Sequence, residues 1–280
     1  MSILQGAILG LVQGIGEFLP ISSSAHVLLL SRLMGMEIND AYKIIVILLH
    51  LGTLIPILIV FRREWLEMIL HPIRNKTLLY LFVASLPSLA VYLLFDLDVF
   101  DSGWMLGPAF LFTGILLMVC DLIGRRKEAQ ASEEVGLKHA VCMGLMQGLA
   151  LLPGISRLGS TLFGGVASGL KREKAIRFSF MMSAVAILAS LVAEGRKAFR
   201  ENLFSHIEVA PTVVAVVVAL VAGYVTIRLM LRVIIHHSLS WFSLYLVLLA
   251  IVLLVTQLAQ MQFLPEFTYP AGASLIKFGR

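Results

Sequence analysis

Charge is scarce in this chain. Asp, Glu, Lys and Arg make up 14% of its 280 residues, roughly half the share of an ordinary soluble domain. That scarcity excludes a water-soluble globular fold. Cysteine is nearly absent. Cys120 and Cys142 lie in or beside apolar segments without metal-ligand spacing, so a disulfide framework and a thiolate metal centre are excluded and both are expected as small buried residues. The N-terminus has no basic leader region, and Gln5, Gln13 and Glu17 interrupt its apolar stretch. It is therefore expected to belong to the mature protein rather than to a signal peptide. Linkers and low-complexity tracts are missing, which leaves a single membrane domain over residues 1–280.

What is abundant is apolar surface. Hydrophobic residues reach 59% and the mean hydropathy is +0.94. They cluster in six runs, about 43–61, 77–95, 104–124, 175–195, 210–231 and 241–260, each close to the ~20 residues that carry a helix across a bilayer. Pro56, Pro87 and Pro108 fall inside these runs, as membrane helices allow when neighbouring helices satisfy the freed backbone groups. The fold class that follows is an all-α integral membrane bundle of six transmembrane helices. The net charge of +5 is explained by where the basic residues lie, without nucleic acid. Loops alternating along the spans hold fourteen basic residues in one set and seven in the other. The richer set includes Arg62, Arg63, Arg125, Arg126, Lys171 and Arg172; the poorer includes Arg196, Lys197, Arg200, Lys277 and Arg280. Positive-inside asymmetry places the first set in the cytoplasm and both termini outside.

One segment occurs twice. Gly10-Leu11-Val12-Gln13-Gly14-Ile15 aligns with Gly144-Leu145-Met146-Gln147-Gly148-Leu149 at an offset of 134, and Ile21-Ser22 then falls on Ile155-Ser156. Residues 1–134 and 135–280 thus form two repeats, each a polar-punctuated segment followed by three spans. Three is odd, so the second copy enters with inverted topology, a layout that places sites at the repeat interface near the midplane. Pro20 and Pro153-Gly154 break the repeated segments. The serines at Ser22–Ser24 and Ser156 are residues that cap a following helix, expected from about 25 to 33 in the first copy. Both segments, 10–26 and 144–161, are expected as re-entrant helical hairpins, tolerated at membrane depth only where buried in protein or lining a wet cavity.

The polar residues converge there. Gln13 and Glu17 are four apart and share one helix face, as do Ser22 and His26. Glu17, His26 and Arg157 are ionisable groups at membrane depth, which are functional candidates by default. A plainer reading has Glu17 and Arg157 only pinning two hairpins together and His26 as a satisfied core histidine. Against it stands the Ser22-Ser23-Ser24 cluster beside them. Half-helix N-termini favour an anion, Arg157 adds a fork matched to phosphate oxygens, and the hydroxyls add donors. Glu17 repels a naked phosphate, so it serves as a general base, as a ligand to a divalent cation, or as both. A hydroxyl beside a base is the activated-nucleophile arrangement.

The run Gln13-Gly14-Ile15-Gly16-Glu17-Phe18-Leu19-Pro20-Ile21-Ser22-Ser23-Ser24-Ala25-His26 resembles the first signature of the undecaprenyl-diphosphate phosphatase (bacitracin-resistance protein) family. Pro153-Gly154-Ile155-Ser156-Arg157 resembles its second. The resemblance implies dephosphorylation of a C55 polyprenyl diphosphate to the monophosphate carrier lipid, with a divalent cation, magnesium or calcium, and a site opening to the outer face of the cell (inner) membrane. It implies catalytic roles for Glu17, Ser23 and His26, with Glu17 also on the metal. Gln13, Ser22, Ser24, Ser156 and Arg157 would then bind substrate. The partners expected are the lipid substrate and membrane lipids, with no nucleic acid, and the assembly allows a homodimer. Three positions depart from the family pattern: Gln13 leaves Glu17 as the sole carboxylate of its helix face, Leu158 replaces a serine, and Val185 replaces a proline. A transporter or flippase for a polyprenyl phosphate or another anion is the competing expectation, because inverted repeats with broken helices are common in transporters. Transport needs an anion site but no nucleophile.

Overall fold

The computed structural model describes residues 1–72, 74–96, 103–127 and 130–258. Among them the regular structure is helical. Helix α1 (Ile3–Gly16) and α2 (Ser23–Leu33) form the first broken pair, followed by three long helices, α3 (Asp40–Val60), α5 (Thr77–Leu94) and α6 (Leu106–Lys127), with the short α4 (Arg62–Leu70) after α3. The second broken pair is α7 (Leu137–Leu149) and α8 (Arg157–Ala167), followed by α9 (Arg172–Arg200), α10 (Val209–His236) and α11 (Ser240–Leu258). All six expected spans are present as helices long and apolar enough to cross a bilayer. The chain is an integral membrane protein. Its outer surface agrees: Phe82, Val225 and Ile251 are at least half exposed on long apolar helices, where lipid tails rather than water meet them.

Local chemistry sets the helix ends. Ser2 accepts from the backbone N–H of Gln5, whose side chain returns a bond to the Ser2 N–H, a full capping box. Asn39 caps α3 through the N–H of Tyr42, and Ser156 caps α8 through the N–H of Gly159. Pro108 sits in the first turn of α6 and Pro211 in the first turn of α10, where no intrahelical N–H is missed. Pro56 and Pro87 lie inside helices.

The structure amends the sequence reading in three places. Residues 62–70, read as loop, form α4. Arg125 and Arg126 belong to the end of α6, Arg172, Lys174 and Arg177 to the first turns of α9, and Arg196, Lys197 and Arg200 to the last turns of that 29-residue helix, and not to loops. Between Arg172 and Arg200 no proline and only Gly195 interrupts a run of good helix formers. Ser22 holds the N-cap position of α2 but makes no side-chain capping bond. The end of the sixth apolar run at 259–260, with Lys277 and Arg280, lies outside the described residues.

Small residues bring the broken pairs against the long helices. A methyl group placed on Gly10 would lie 2.3 Å from the carbonyl oxygen of Ala215 in α10, and one on Gly144 would lie 2.6 Å from that of Ala84 in α5. Gly10 and Gly144 are equivalent at the 134-residue offset, so each half presses its first helix onto the second long helix of the other. Close backbone approach of this kind is what holds helices together in lipid, where apolar surface gains nothing by association. Ion pairs tie the basic helix ends together: Glu64 of α4 to Arg177 of α9, Asp121 of α6 to Arg125 and Arg172, and Glu133 to Lys171 just before α9.

Candidate active site

The two helix breaks meet. A cavity of about 260 Å³ is lined by Glu17, Ser22, Ser23 and Ser24 from the first break, Pro153, Ser156 and Arg157 from the second, His50 from α3, and Ile187, Ser190 and Leu191 from α9. Glu17 follows the last turn of α1, its N–H still bonded to the carbonyl of Gln13. Ser23 opens α2, and Arg157 opens α8. The N-termini of two helices therefore face one volume, each adding a partial positive charge and unpaired N–H groups. No side chain caps α2, which leaves its first amides available to an anion. On α8 the cap oxygen of Ser156 accepts from Gly159 at 3.1 Å, so its own hydroxyl hydrogen remains free to donate.

Glu17 is the hub. Its side chain is 6% exposed. Oε2 accepts the Ser23 hydroxyl at 2.6 Å and the Gln13 amide at 3.0 Å, and Oε1 accepts from Arg157 Nη1 at 3.2 Å. Those charge-assisted bonds are what a buried carboxylate needs in a low-dielectric setting. The pair also joins residues 140 positions apart, so it pins the two breaks together as well as equipping them.

Seven of the eight residues predicted from sequence converge on this cluster, six on the cavity wall and Gln13 one layer behind. His26 does not. Its ring lies on the far side of the Ser22 turn, against Phe110 and Tyr245. The sequence reading missed His50 and Thr113. His50 Nε2 is 3.7 Å from Glu17 Oε2, while its Nδ1 bonds the Val46 carbonyl at 2.8 Å. A signal for it existed, since a histidine at mid-span falls under the same rule that singled out Glu17. Thr113 of α6 accepts the Ser156 N–H at 3.1 Å and steadies the second break. A lone threonine in an apolar run carries no sequence signal for that. At the break itself Gly154 takes φ +98, and a methyl group there would meet Ala109 at 2.5 Å, so only glycine fits.

A divalent cation is tested by the donor set. Among the described residues no three His, Cys, Asp or Glu side chains gather to hold a metal. Glu17 is the one carboxylate in the wall, and Gln13 Oε1 is buried beside it without a hydrogen-bond partner. One carboxylate and one amide oxygen do not make a cage. They fit a cation whose remaining ligands are phosphate oxygens and water, the usual habit of magnesium.

Comparison with known proteins decides the family. Residues 6–252 match that of bacitracin resistance protein BacA. The chain belongs to this family. It is 38% identical to an undecaprenyl-diphosphatase of Carboxydothermus hydrogenoformans, over 92% of this chain and 99% of that protein. It is 37% identical to one of Gemmatimonas aurantiaca, over 91% and 98%. Similarity to undecaprenyl-diphosphatase 4 of Bacillus thuringiensis subsp. konkukian is 33%, over 92% and 98%. The BacA match spans both breaks, five of the six long helices and most of α11, so the cavity falls wholly within it. Leu158, the departure in the second signature, is buried in the cavity wall and gives it an apolar patch.

Proposed function

We propose that this cavity hydrolyses the terminal phosphoanhydride of a polyprenyl diphosphate, undecaprenyl diphosphate, releasing phosphate and the monophosphate carrier lipid. The observation that carries the reading is the 2.6 Å bond from Ser23 to Glu17 inside a wall that also holds Arg157. It is a nucleophile, a base and an anion clamp in one place. The names of the relatives support the same chemistry. The cavity accommodates a head group, and the long prenyl chain stays against the apolar exterior.

Arriving phosphate competes with Glu17 for the Arg157 fork and for the amides of α2 and α8. That exchange frees the carboxylate to take the Ser23 hydroxyl proton. Ser23 Oγ then attacks the terminal phosphorus, the bond to the bridging oxygen breaks, and the lipid monophosphate leaves with that oxygen and the proton from Glu17. Water attacks the phosphoserine, giving a proton to Glu17. Glu17 passes it to Ser23 Oγ as phosphate departs. Ser22, Ser24 and Ser156 contribute hydroxyls to the phosphate oxygens. A divalent cation, magnesium or calcium, held by substrate oxygens with Glu17 and Gln13, would supply charge neutralisation.

The same reading places the protein in the cell (inner) membrane, with residues 10–26 and 144–161 as re-entrant hairpins of an inverted repeat and the cavity open to the outer face. There it would recycle carrier lipid for cell-envelope synthesis and confer bacitracin resistance. The charge asymmetry and the reciprocal packing of Gly10 and Gly144 support that placement. Every group of the cavity wall comes from one chain, so monomer and homodimer serve equally. The test is phosphate release from a long-chain polyprenyl diphosphate by purified protein, with and without chelator. Release that disappears with chelator is expected. Tight lipid diphosphate binding with no release under any condition would replace this reading by transport.

A further inference from the structure

Ser22 is the one strained residue of the site. Its φ of 69 and ψ of 89 are left-handed, a region that costs a residue with a Cβ and persists only where neighbours impose it. Its equivalent at the 134-residue offset is Ser156. That serine is in the extended conformation usual for a cap, φ −71 and ψ 120, and caps its own helix. Two serines in corresponding places thus adopt different backbones. Among the positions that differ around them, the one that reaches back to the serine carbonyl with a ring nitrogen is four residues on, where His26 stands in the first half and Ser160 in the second.

The His26 ring Nδ1 is 2.8 Å from the Ser22 carbonyl oxygen. A carbonyl only accepts, so Nδ1 carries the hydrogen. The other nitrogen, Nε2, is then the acceptor, and the Tyr245 hydroxyl donates to it at 2.7 Å. Tyr245 also stacks on the ring at 5.7 Å and 20°, with Phe110 on it at 5.3 Å. Both ring nitrogens are therefore engaged, and His26 contributes nothing to the cavity wall. The chain of bonds runs from α11 through α2 to the one peptide that sets where Ser23 stands.

We infer that Tyr245 is a positioning residue: acting through His26, it holds the left-handed Ser22 turn in the shape that presents Ser23 to Glu17. The inference rests on the phosphatase reading for its kinetic test and on backbone dynamics for a test free of it. Asparagine places an amide N–H where Nδ1 stands, whereas glutamine reaches the Nε2 position and leaves the Ser22 carbonyl only the longer bond from the backbone N–H of residue 26, at 3.3 Å. His26→Asn should therefore keep activity within about fivefold of the unsubstituted protein, and His26→Gln should lose about a hundredfold. Tyr245→Phe removes one hydroxyl and should lower kcat about tenfold with KM unchanged. That loss should shrink in a Ser22→Gly background, where the left-handed turn needs no outside support. His26→Asn as inactive as His26→Gln would show that the ring itself moves a proton, and would overturn the positioning role. So would full kcat in Tyr245→Phe. Independently of turnover, hydrogen exchange of the amides in residues 21–26 should quicken about tenfold in folded Tyr245→Phe. Equal exchange in the two proteins would sink the inference even if the enzyme assay failed to register phosphate at all.

Discussion

Ser23 donates its hydroxyl hydrogen to Glu17 at 2.6 Å, across a helix break and without water between them. A serine paired to a buried carboxylate in this way has its proton acceptor in place before substrate arrives. Ser23→Ala removes the nucleophile, and Glu17→Gln removes the acceptor while keeping its size. Each should lower phosphate release at least a thousandfold, about 4 kcal/mol or more of transition-state stabilisation. Neither should change the elution of the protein in detergent. Ser23→Ala with near-normal turnover would pass the nucleophilic role to water or to another hydroxyl.

Arg157 has two duties, and two substitutions separate them. Arg157→Ala takes the fork from the phosphate and leaves Glu17 buried without its cation, so activity and melting temperature should both fall. Arg157→Lys keeps the charge but not the bidentate geometry. We expect a melting temperature close to that of the unsubstituted protein, with a loss in kcat/KM of roughly ten- to a hundredfold. If Lys restored full activity, the clamp would be a point charge and not a fork.

Much of this architecture was legible in the sequence. The six apolar runs, the 134-residue match and the cluster of ionisable groups in apolar surroundings each have a single-residue signature. Glu17 and Arg157 followed from them, while Ser23 was singled out by the resemblance to the family's first signature. His26 was picked out by the same rule, yet its ring points away from the cavity, because sequence gives a helix face but not which neighbour claims it. His50 was passed over since its run reads as an ordinary span. Thr113 and Tyr245 act only through contacts that join distant helices, and no local pattern announces those. Helix α4 was read as loop because its amphipathic stripe is short and follows a span directly.

Close packing between α1 and α10 gives a stability prediction. A methyl group at Gly10 would collide with the Ala215 carbonyl at 2.3 Å, whereas Gly195 in α9 has nothing within 4 Å. Gly10→Ala should destabilise the protein by about 1–3 kcal/mol, since backbone has to move to admit it. Gly195→Ala should stabilise it by up to about 1 kcal/mol through helix propensity. Thermal unfolding in one detergent measures both. Equal effects at the two positions would refute the packing described for α1.

Orientation is tested by labelling. The basic-rich loops that include Asn75 and Gln130 are expected in the cytoplasm, opposite the N-terminus. Single cysteines at these positions, on a background lacking Cys120 and Cys142, should resist a membrane-impermeant thiol reagent in intact cells and react after permeabilisation. Efficient labelling from outside at either position would turn the protein over and carry the cavity to the other face.

Gln13 offers the sharpest test of the cation. Its amide donates to Glu17 at 3.0 Å, and its Oε1 is buried with no partner. The oxygen is thus placed as a weak ligand beside the single carboxylate of the cavity wall. Gln13→Glu exchanges that donor for a second negative charge one helical turn from the first. Without a cation the two carboxylates repel, and the variant should be less active than the unsubstituted protein at low metal. With magnesium or calcium the added charge tightens the site, because ligand charge tunes affinity at hard-cation sites. Half-activation should then occur at about tenfold lower metal concentration, near 1.4 kcal/mol of binding. Phosphate release titrated against each metal, for both proteins and from a chelator-treated start, measures the shift. A titration that superimposes for the two would mean that residue 13 does not face the cation, and Glu17 would keep its role as base alone.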